Sequence, residues 1–263
     1  FASILNVLGC KVWLIEMKET LMPDNPQEIG KTLEKYMRID GITVLTNSKV
    51  EKITDKGILV NGENIDVEKI LVCVGRKPNI GSDEMKKLGI EFNGKGIDVN
   101  KKMLTSVSNI YAIGDITGKY QLAHVASKQG EVAAHNITGH DSEMDYSVIP
   151  FCVFTFPEVA FVGDCSGKSG EFPLRANAKA NCLEDTRGFL KVFEKNGICA
   201  GAIIIGTRAS ELIGEATIAI KTELKIEKFL EVIHAHPTLS EAFTEAARDI
   251  NEQSIHLPSR TKS

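Results

Sequence analysis

The residues of this chain best suited to chemistry lie near its C-terminal end, in His234-Ala235-His236-Pro237-Thr238-Leu239-Ser240-Glu241. An imidazole is the side chain most easily poised for proton transfer near neutral pH, and a neighbouring carboxylate fixes its tautomer. Two histidines lead into a turn at Pro237, and Glu241 lies five positions after His236, so the segment is a candidate proton-transfer site. The same residues have a second reading. Thr238 and Glu241 have the Thr-x-x-Glu spacing of a capping box, which predicts a helix starting at Thr238 and needs no catalysis. Before them, the run from Ala209 to Ile233 has helical spacing.

Two further carboxylates stand at positions where ligands are bound. Glu16 closes the strand-like stretch Lys11-Val12-Trp13-Leu14-Ile15. In a dinucleotide-binding fold, an acidic residue at the end of the second strand accepts hydrogen bonds from the adenosine ribose hydroxyls, whereas a 2′-phosphate wants an arginine. No arginine occurs before Arg38, so Glu16 favours NAD over its phosphorylated relative. The glycine-rich turn G-x-G-x-x-G is not in the sequence, and a surface glutamate at a strand end is the plain alternative. The second carboxylate is Asp115. Asn109-Ile110-Tyr111-Ala112-Ile113-Gly114-Asp115 reads as a strand ending in Gly-Asp, where a backbone can approach a ligand closely. Gln121-Leu122-Ala123-His124 then leads into a helical pattern from Val125 to Asn136, whose N-terminus suits a phosphate or a polarised ring oxygen. A Gly-Asp turn with no ligand is the alternative there.

The elements that must hold these groups alternate at the front of the chain. Ala2 to Leu8 predicts a helix ended by Gly9, and Asn25 to Arg38 a second helix. Ile42-Thr43-Val44-Leu45 reads as a strand, followed by a meander around Val50–Ile53 and Ile58–Val60 with turns at Lys56-Gly57 and Asn61-Gly62. Ile70-Leu71-Val72-Cys73-Val74-Gly75 is a nearly continuous apolar run, which predicts a strand covered on both faces. This order suggests a doubly wound nucleotide-binding domain. Later, Phe189–Val192 and Ala200–Ile205 read as apolar strands.

Composition narrows the classes. The 263 residues can bury a sizeable core in two or more domains. Hydrophobic residues are 43% and charged residues 25%, as in soluble globular proteins. A net charge of −4 argues against a nucleic-acid partner. No apolar run approaches the roughly 20 residues of a membrane span, and the start Phe1-Ala2-Ser3 lacks the basic region of a signal peptide. The six cysteines (Cys10, Cys73, Cys152, Cys165, Cys182, Cys199) show neither C-x-x-C nor metal-ligand spacing, so no metal site is expected. Cys73, Cys152 and Cys199 sit in strand-like runs as expected of buried reduced thiols, which points to a reducing, cytoplasmic setting.

Taken together, the motifs resemble a known family. Tyr111-Ala112-Ile113-Gly114-Asp115 resembles the second flavin-binding motif of the pyridine nucleotide-disulfide oxidoreductases. Val74-Gly75-Arg76-Lys77-Pro78 is similar to the strand that returns their chain from the NAD domain to the FAD domain. Pro150-Phe151-Cys152-Val153-Phe154-Thr155-Phe156-Pro157-Glu158-Val159-Ala160 resembles the opening of their interface domain. His234 to Glu241 resembles their interface-domain signature, in the form that dihydrolipoamide dehydrogenases use.

The resemblance implies roles. His236 would be the acid/base that exchanges a proton with a dithiol substrate, and Glu241 the carboxylate that orients it. Asp115 would hydrogen-bond the ribityl chain of FAD, with Gln121, Leu122, Ala123 and His124 along the isoalloxazine. Glu16 would hold the NAD ribose, while Val50 and Gly75 would line the NAD groove. It also implies a homodimer, because the interface histidine serves the other subunit's redox centre, and a lipoyl domain of a 2-oxo acid dehydrogenase or glycine cleavage complex as partner. The expected architecture is α/β plus α+β. A truncated doubly wound nucleotide-binding domain (residues 1–79) is followed by a partial FAD-binding segment (80–146) and an α+β interface domain (147–263).

Departures from the family qualify the expected function. The family's first flavin-binding glycine motif and its redox pair Cys-x-x-x-x-Cys are missing, and no two cysteines here have that spacing. Residues 164–170 form a link too short and glycine-rich for the helix usual at that point. The expectation is part of a flavin-dependent dihydrolipoyl dehydrogenase using NAD, with the chain alone inactive. A glutathione-reductase-like disulfide reductase is the nearest alternative, and a non-enzymatic dimerisation module is the alternative from another class.

Overall fold

A computed structural model describes residues 1–258. In chain order it runs α1 (Ala2–Val7), β1 (Trp13–Ile15), α2 (Gln27–Ile39), β2 (Thr43–Leu45), β3 (Val50–Thr54), β4 (Gly57–Val60), β5 (Glu63–Asp66), α3 (Ser82–Leu88) and α4 (Ala123–Ile137). There follow β6 (Phe151–Val153), β7 (Glu158–Gly163), β8 (Lys168–Pro173), α5 (Ala178–Cys182), β9 (Phe189–Lys195), β10 (Ile198–Gly206), α6 (Ala209–Lys221), α7 (Ile226–Leu230) and α8 (Glu241–Asp249). The chain forms two compact units: Phe1–Ile70 with the chain from Val148 onward, and Leu71–Ser147.

The first unit is built on an antiparallel sheet in the order β6-β7-β10-β9-β8. Along its central strand β10, Ala202 and Ile204 enter one core while Ile203 and Ile205 enter another. Burial on both faces explains why this strand reads as continuously apolar. One face packs against α6, α7 and α8, with Phe229 and Phe243 fully buried among them. The other face presents Val159, Phe161, Phe189 and Phe193 to Leu33 and Met37 of α2 and to Val44 of β2. Each such large apolar side chain is worth about 1.5–3 kcal/mol on burial.

α2 is specified locally. Ile29, Leu33 and Met37 recur every fourth residue on one buried stripe, and Glu28 and Arg38 complement the helix dipole at its two ends. Gly30 sets how closely α2 can seat, because a Cβ there would lie 2.0 Å from the Leu21 carbonyl oxygen. Polar ties fasten α2 to the sheet. Lys191 bridges Glu28 and Glu171. Arg187 pairs with Asp40 at 3.0 Å, and the Gly188 N–H donates to Tyr36 at 2.9 Å. In the same unit β1 and β2 pair in parallel, and β3-β4-β5 form the expected meander, turning at Asn61-Gly62 with both φ positive.

The second unit holds α3 and α4 and a small core of Ile90, Ile97 and Ala112, against which Met85 of α3 packs. Gln129 of α4 is fully buried. Its side-chain oxygen accepts the Gly114 N–H at 2.6 Å, and its amide donates to the Tyr146 hydroxyl at 2.8 Å.

Several expectations require correction. The run Ile70–Gly75 forms no strand, and Leu71, Val72 and Val74 are exposed, Val74 by 91%. Among the described residues the parallel sheet contains only β1 and β2, and this apolar run adds no strand to it. Cys73 within it is therefore exposed, whereas Cys152 is half-buried and Cys199 buried as expected. The stretch before Asp115 contributes a single bridge, Leu104 with Tyr111, instead of a strand. The run 209–233 is two helices, α6 and α7, and α8 starts at Glu241 instead of Thr238. Residues 164–167 connect β7 to β8 without a helix, and β8 begins within the segment expected to be a link. Among the described residues no helix is long and apolar enough to cross a membrane.

Candidate active site

The turn between α7 and α8 brings the two histidines and Glu241 together, but with different environments. His236 Nδ1 lies 2.9 Å from Glu241 Oε1, and its ring is 71% exposed. The other carboxylate oxygen of Glu241 accepts the Thr238 N–H at 2.8 Å. The Thr238 hydroxyl donates back to the Ala235 carbonyl at 2.7 Å, so only half of the capping box forms. A carboxylate on Nδ1 selects the tautomer that carries its proton there and leaves Nε2 as the basic nitrogen facing outward.

His234 is more enclosed, its side chain 10% exposed. Its Nε2 lies 2.7 Å from Glu215 of α6 and its Nδ1 2.9 Å from the Thr244 hydroxyl of α8. With both ring nitrogens engaged by two helices, it braces the loop that presents His236. Both histidines line a cavity of about 220 Å³ together with Glu241, Glu245, Arg248 and His256.

Burial, the largest single influence on the Glu241 carboxyl, pushes it up. The Thr238 N–H, the His236 hydrogen bond and the charges of His236 and His256 outweigh burial and hold it below its ordinary value. Glu241 is thus ionised near neutral pH, as a partner for an imidazolium must be. Two cysteines of this unit are buried or half-buried, away from such a role. Burial pushes the Cys165 and Cys199 thiols up to about 11.

The remaining candidates divide between the units. Glu16 stands just past β1, half-buried, and its carboxylate accepts the Lys18 N–H at 2.8 Å. Val50 opens β3 and is 42% exposed. In the second unit Gly75 has φ +108, a conformation that favours glycine. Asp115 lies in a short 3-10 turn, Gly114–Thr117, with its carboxylate 46% exposed and 4.0 Å from Arg76. Gly114 has φ +74, and a Cβ there would meet the Ala126 side chain at 3.4 Å, so the turn lies close on α4. Gln121 donates to the Arg76 carbonyl at 3.4 Å, and Leu122, Ala123 and His124 open α4, which no side chain caps. A carboxylate acceptor and an uncapped helix start in one unit fit the hydroxyl-rich chain and electron-rich ring edge of a flavin. A half-buried carboxylate with no arginine near it in sequence likewise fits an unphosphorylated ribose. Arg76, Gln129 and His256 were missed as contributors. Gln129 left a signal as a polar residue in the stripe Val125-Gln129-Val132-Ala133, and Arg76 stands within the Val74–Pro78 motif without a role of its own.

Comparison with known proteins decides the family. Residues 1–130 match the pyridine nucleotide-disulphide oxidoreductases, and residues 149–247 match the dimerisation domain of the same family. The chain belongs to that family. Dihydrolipoyl dehydrogenase from Chlamydia muridarum is 40% identical over 279 positions, covering 100% of this chain and 60% of the relative. That from Mycobacterium leprae is 38% identical, covering 93% of the chain and 57% of the relative. Among solved structures, LpdA from Mycobacterium tuberculosis superposes with a TM-score of 0.85 at 28% identity, over 94% of this chain and 58% of that one. The flavoprotein disulfide reductase RclA from Escherichia coli gives 0.86 at 25% identity, over 94% and 61%. The chain thus spans about 60% of the length of the curated relatives it matches. The Chlamydia muridarum alignment has more positions than the 263 residues here, so that relative carries residues in this span for which the chain has none.

Proposed function

We propose that this chain forms part of a flavin-dependent dihydrolipoyl dehydrogenase, in which His236 is the acid/base for the dithiol substrate and Glu241 its orienting carboxylate. The observation that carries this reading is the 2.9 Å contact between His236 Nδ1 and an ionised Glu241, in a chain of this family. Glu241 holds the proton on Nδ1, so Nε2 can accept a proton from a substrate thiol and release it later. Braced by His234, the loop keeps that nitrogen at the exposed edge of the cavity.

FAD, when bound, supplies electron transfer from dithiol to nicotinamide. Asp115 would accept hydrogen bonds from its ribityl hydroxyls, and Gln121, Leu122, Ala123 and His124 would lie along its ring with the start of α4 toward the electron-rich edge. Glu16 would accept from the ribose hydroxyls of NAD, and Val50 and Gly75 would line its groove. We assign residues 1–79 to the NAD domain, 80–146 to the FAD domain and 147–263 to the interface domain. The exposed Nε2 side of His236 suits service to a second copy of the chain, hence a homodimer, with a lipoyl domain bringing the substrate and a cytoplasmic location.

His236→Ala, introduced into the full-length flavoprotein, tests the assignment. Loss of a general base typically lowers the rate by about a hundredfold to ten-thousandfold, here in flavin reduction by dihydrolipoamide. An unchanged reduction rate would remove His236 from the mechanism.

A further inference from the structure

Outside the His236–Glu241 pair, the most constrained ionisable group is Glu245, one helical turn further along α8. Its side chain is 4% exposed, yet four donors converge on it. One oxygen accepts from the Ser254 hydroxyl at 2.7 Å and from the backbone N–H groups of Ile255 and His256 at 3.0 and 2.9 Å. The other accepts from Arg248 at 2.9 Å. A buried carboxylate is tolerated only when its charge is met in this way. Three of its four bonds hold the tail that follows α8, so Glu245 fixes that tail in place. The tail brings His256, its Nδ1 3.4 Å from Glu245 and its ring 65% exposed, to the cavity that His236 and Glu241 also line.

We propose that His256 is a positioning residue for the His236–Glu241 pair: the tail, strapped to α8 by Glu245, sets a second imidazole at the cavity that Glu241 also lines, where its positive charge favours the carboxylate that orients His236. The proposal rests on the reading of His236 as the proton-exchanging group. The charged groups around the cavity come from few elements. α8 contributes Glu241, Glu245 and Arg248, the loop before it contributes His234 and His236, and Glu215 of α6 pairs with His234. The facing β8 and Ala176–Ala178 add no ionisable side chain to the lining. Arg248 is committed to Glu245, and His234 to Glu215 and Thr244. Besides His236 itself, His256 is therefore the basic residue of the lining whose side chain is not committed to neighbouring helices.

The test uses the 263-residue chain, with the Glu241 side-chain carboxyl followed by carbon NMR through an acid titration. His256→Gln removes the ring charge but leaves the residue 256 N–H on Glu245, so the strap stays. The expected result is a rise in the Glu241 midpoint on the order of a few tenths of a pH unit, shrinking in about 1 M salt, where charges are screened beyond about 3 Å. Slow amide exchange at residues 255 and 256, unchanged by the substitution, shows that the tail remains docked. A Glu241 midpoint identical in the unchanged chain and in H256Q, with the tail docked, would overturn the proposal. His236→Gln separates this outcome from failure of the underlying reading. If Glu241 does not respond to H236Q, the His236–Glu241 pair itself falls, whatever His256 does.

Discussion

Replacing Glu241 by glutamine separates the helix-start role of the segment 234–241 from its proposed proton-transfer role. The carboxylate spends one oxygen on His236 Nδ1 at 2.9 Å and the other on the Thr238 N–H at 2.8 Å. Glutamine keeps one acceptor and turns the other into a donor. If its oxygen stays on Thr238, its amide faces Nδ1, which must then be unprotonated, and the proton moves to the outward Nε2. That is the wrong tautomer for accepting a proton from a thiol. If its oxygen turns to His236, the Thr238 N–H is left to water. A charge-assisted hydrogen bond is worth about 1.5–3 kcal/mol. The Glu241 side chain is 28% exposed, so water replaces much of what is lost and we expect a stability cost of about 1 kcal/mol. The rate should respond far more. A base with its proton on the wrong nitrogen should slow flavin reduction by about a hundredfold or more, or roughly 2.7 kcal/mol of barrier. Urea unfolding of the 263-residue chain gives the first quantity. Rapid-mixing reduction of the full-length flavoprotein by dihydrolipoamide gives the second. Thr238→Ala is the control, since its hydroxyl touches only the Ala235 carbonyl and its N–H stays on Glu241. A glutamine variant that loses about 1 kcal/mol of stability while reducing its flavin within twofold of the parent rate would refute the proton-transfer role.

In the full-length enzyme Glu16→Arg should weaken preference for NAD over its 2′-phosphorylated form, by about 1–3 kcal/mol of differential binding; equal ratios of kcat/KM before and after would make Glu16 a surface residue. The 263-residue chain with added FAD should show no oxidation of dihydrolipoamide by NAD above buffer, because no two of its cysteines have the redox spacing; measurable steady-state turnover would refute this. Acid should destabilise the first unit through Glu241 and Glu245, both held below the ordinary 4.5. Their contribution is fully present above that value and is lost as pH falls through the lowered ones, so urea midpoints measured from about pH 6 to pH 3 should fall less steeply in Glu245→Gln than in the parent chain.

Local codes were legible in the sequence and codes that depend on a neighbour were not. The every-fourth-residue stripe of α2, the doubly buried β10 and the Asn-Gly turn of the meander are each specified within one element. Ile70–Gly75 shows the limit. Its apolarity states a demand for burial but cannot supply the strand that would meet it, and these residues lie exposed. The break between α6 and α7 was hidden for another reason. The Leu224 N–H returns to the Ala219 carbonyl, closing the helix in a Schellman-type end, but the left-handed position is filled by Glu223, φ +51, instead of glycine. No punctuating residue marks it. The partners of Arg76 and His256 were not legible either, since they lie 39 and 11 residues away, at Asp115 and Glu245 respectively.

The geometry of the site lets the helix-start and the proposed proton-transfer readings of these residues hold together. A complete capping box would commit the Thr238 hydroxyl to the helix start. Here that hydroxyl closes the turn onto Ala235, and the helix begins three residues later, at Glu241. Glu241 therefore stands in the first turn of α8, where the helix dipole favours a negative charge. From that position one oxygen reaches back to the Thr238 N–H while the other faces His236. The hydrogen bond that tethers the turn also fixes the carboxylate that orients the imidazole. On the proposed assignment, stability and proton transfer are joined in one side chain, and only a substitution that keeps one oxygen in place can pull them apart.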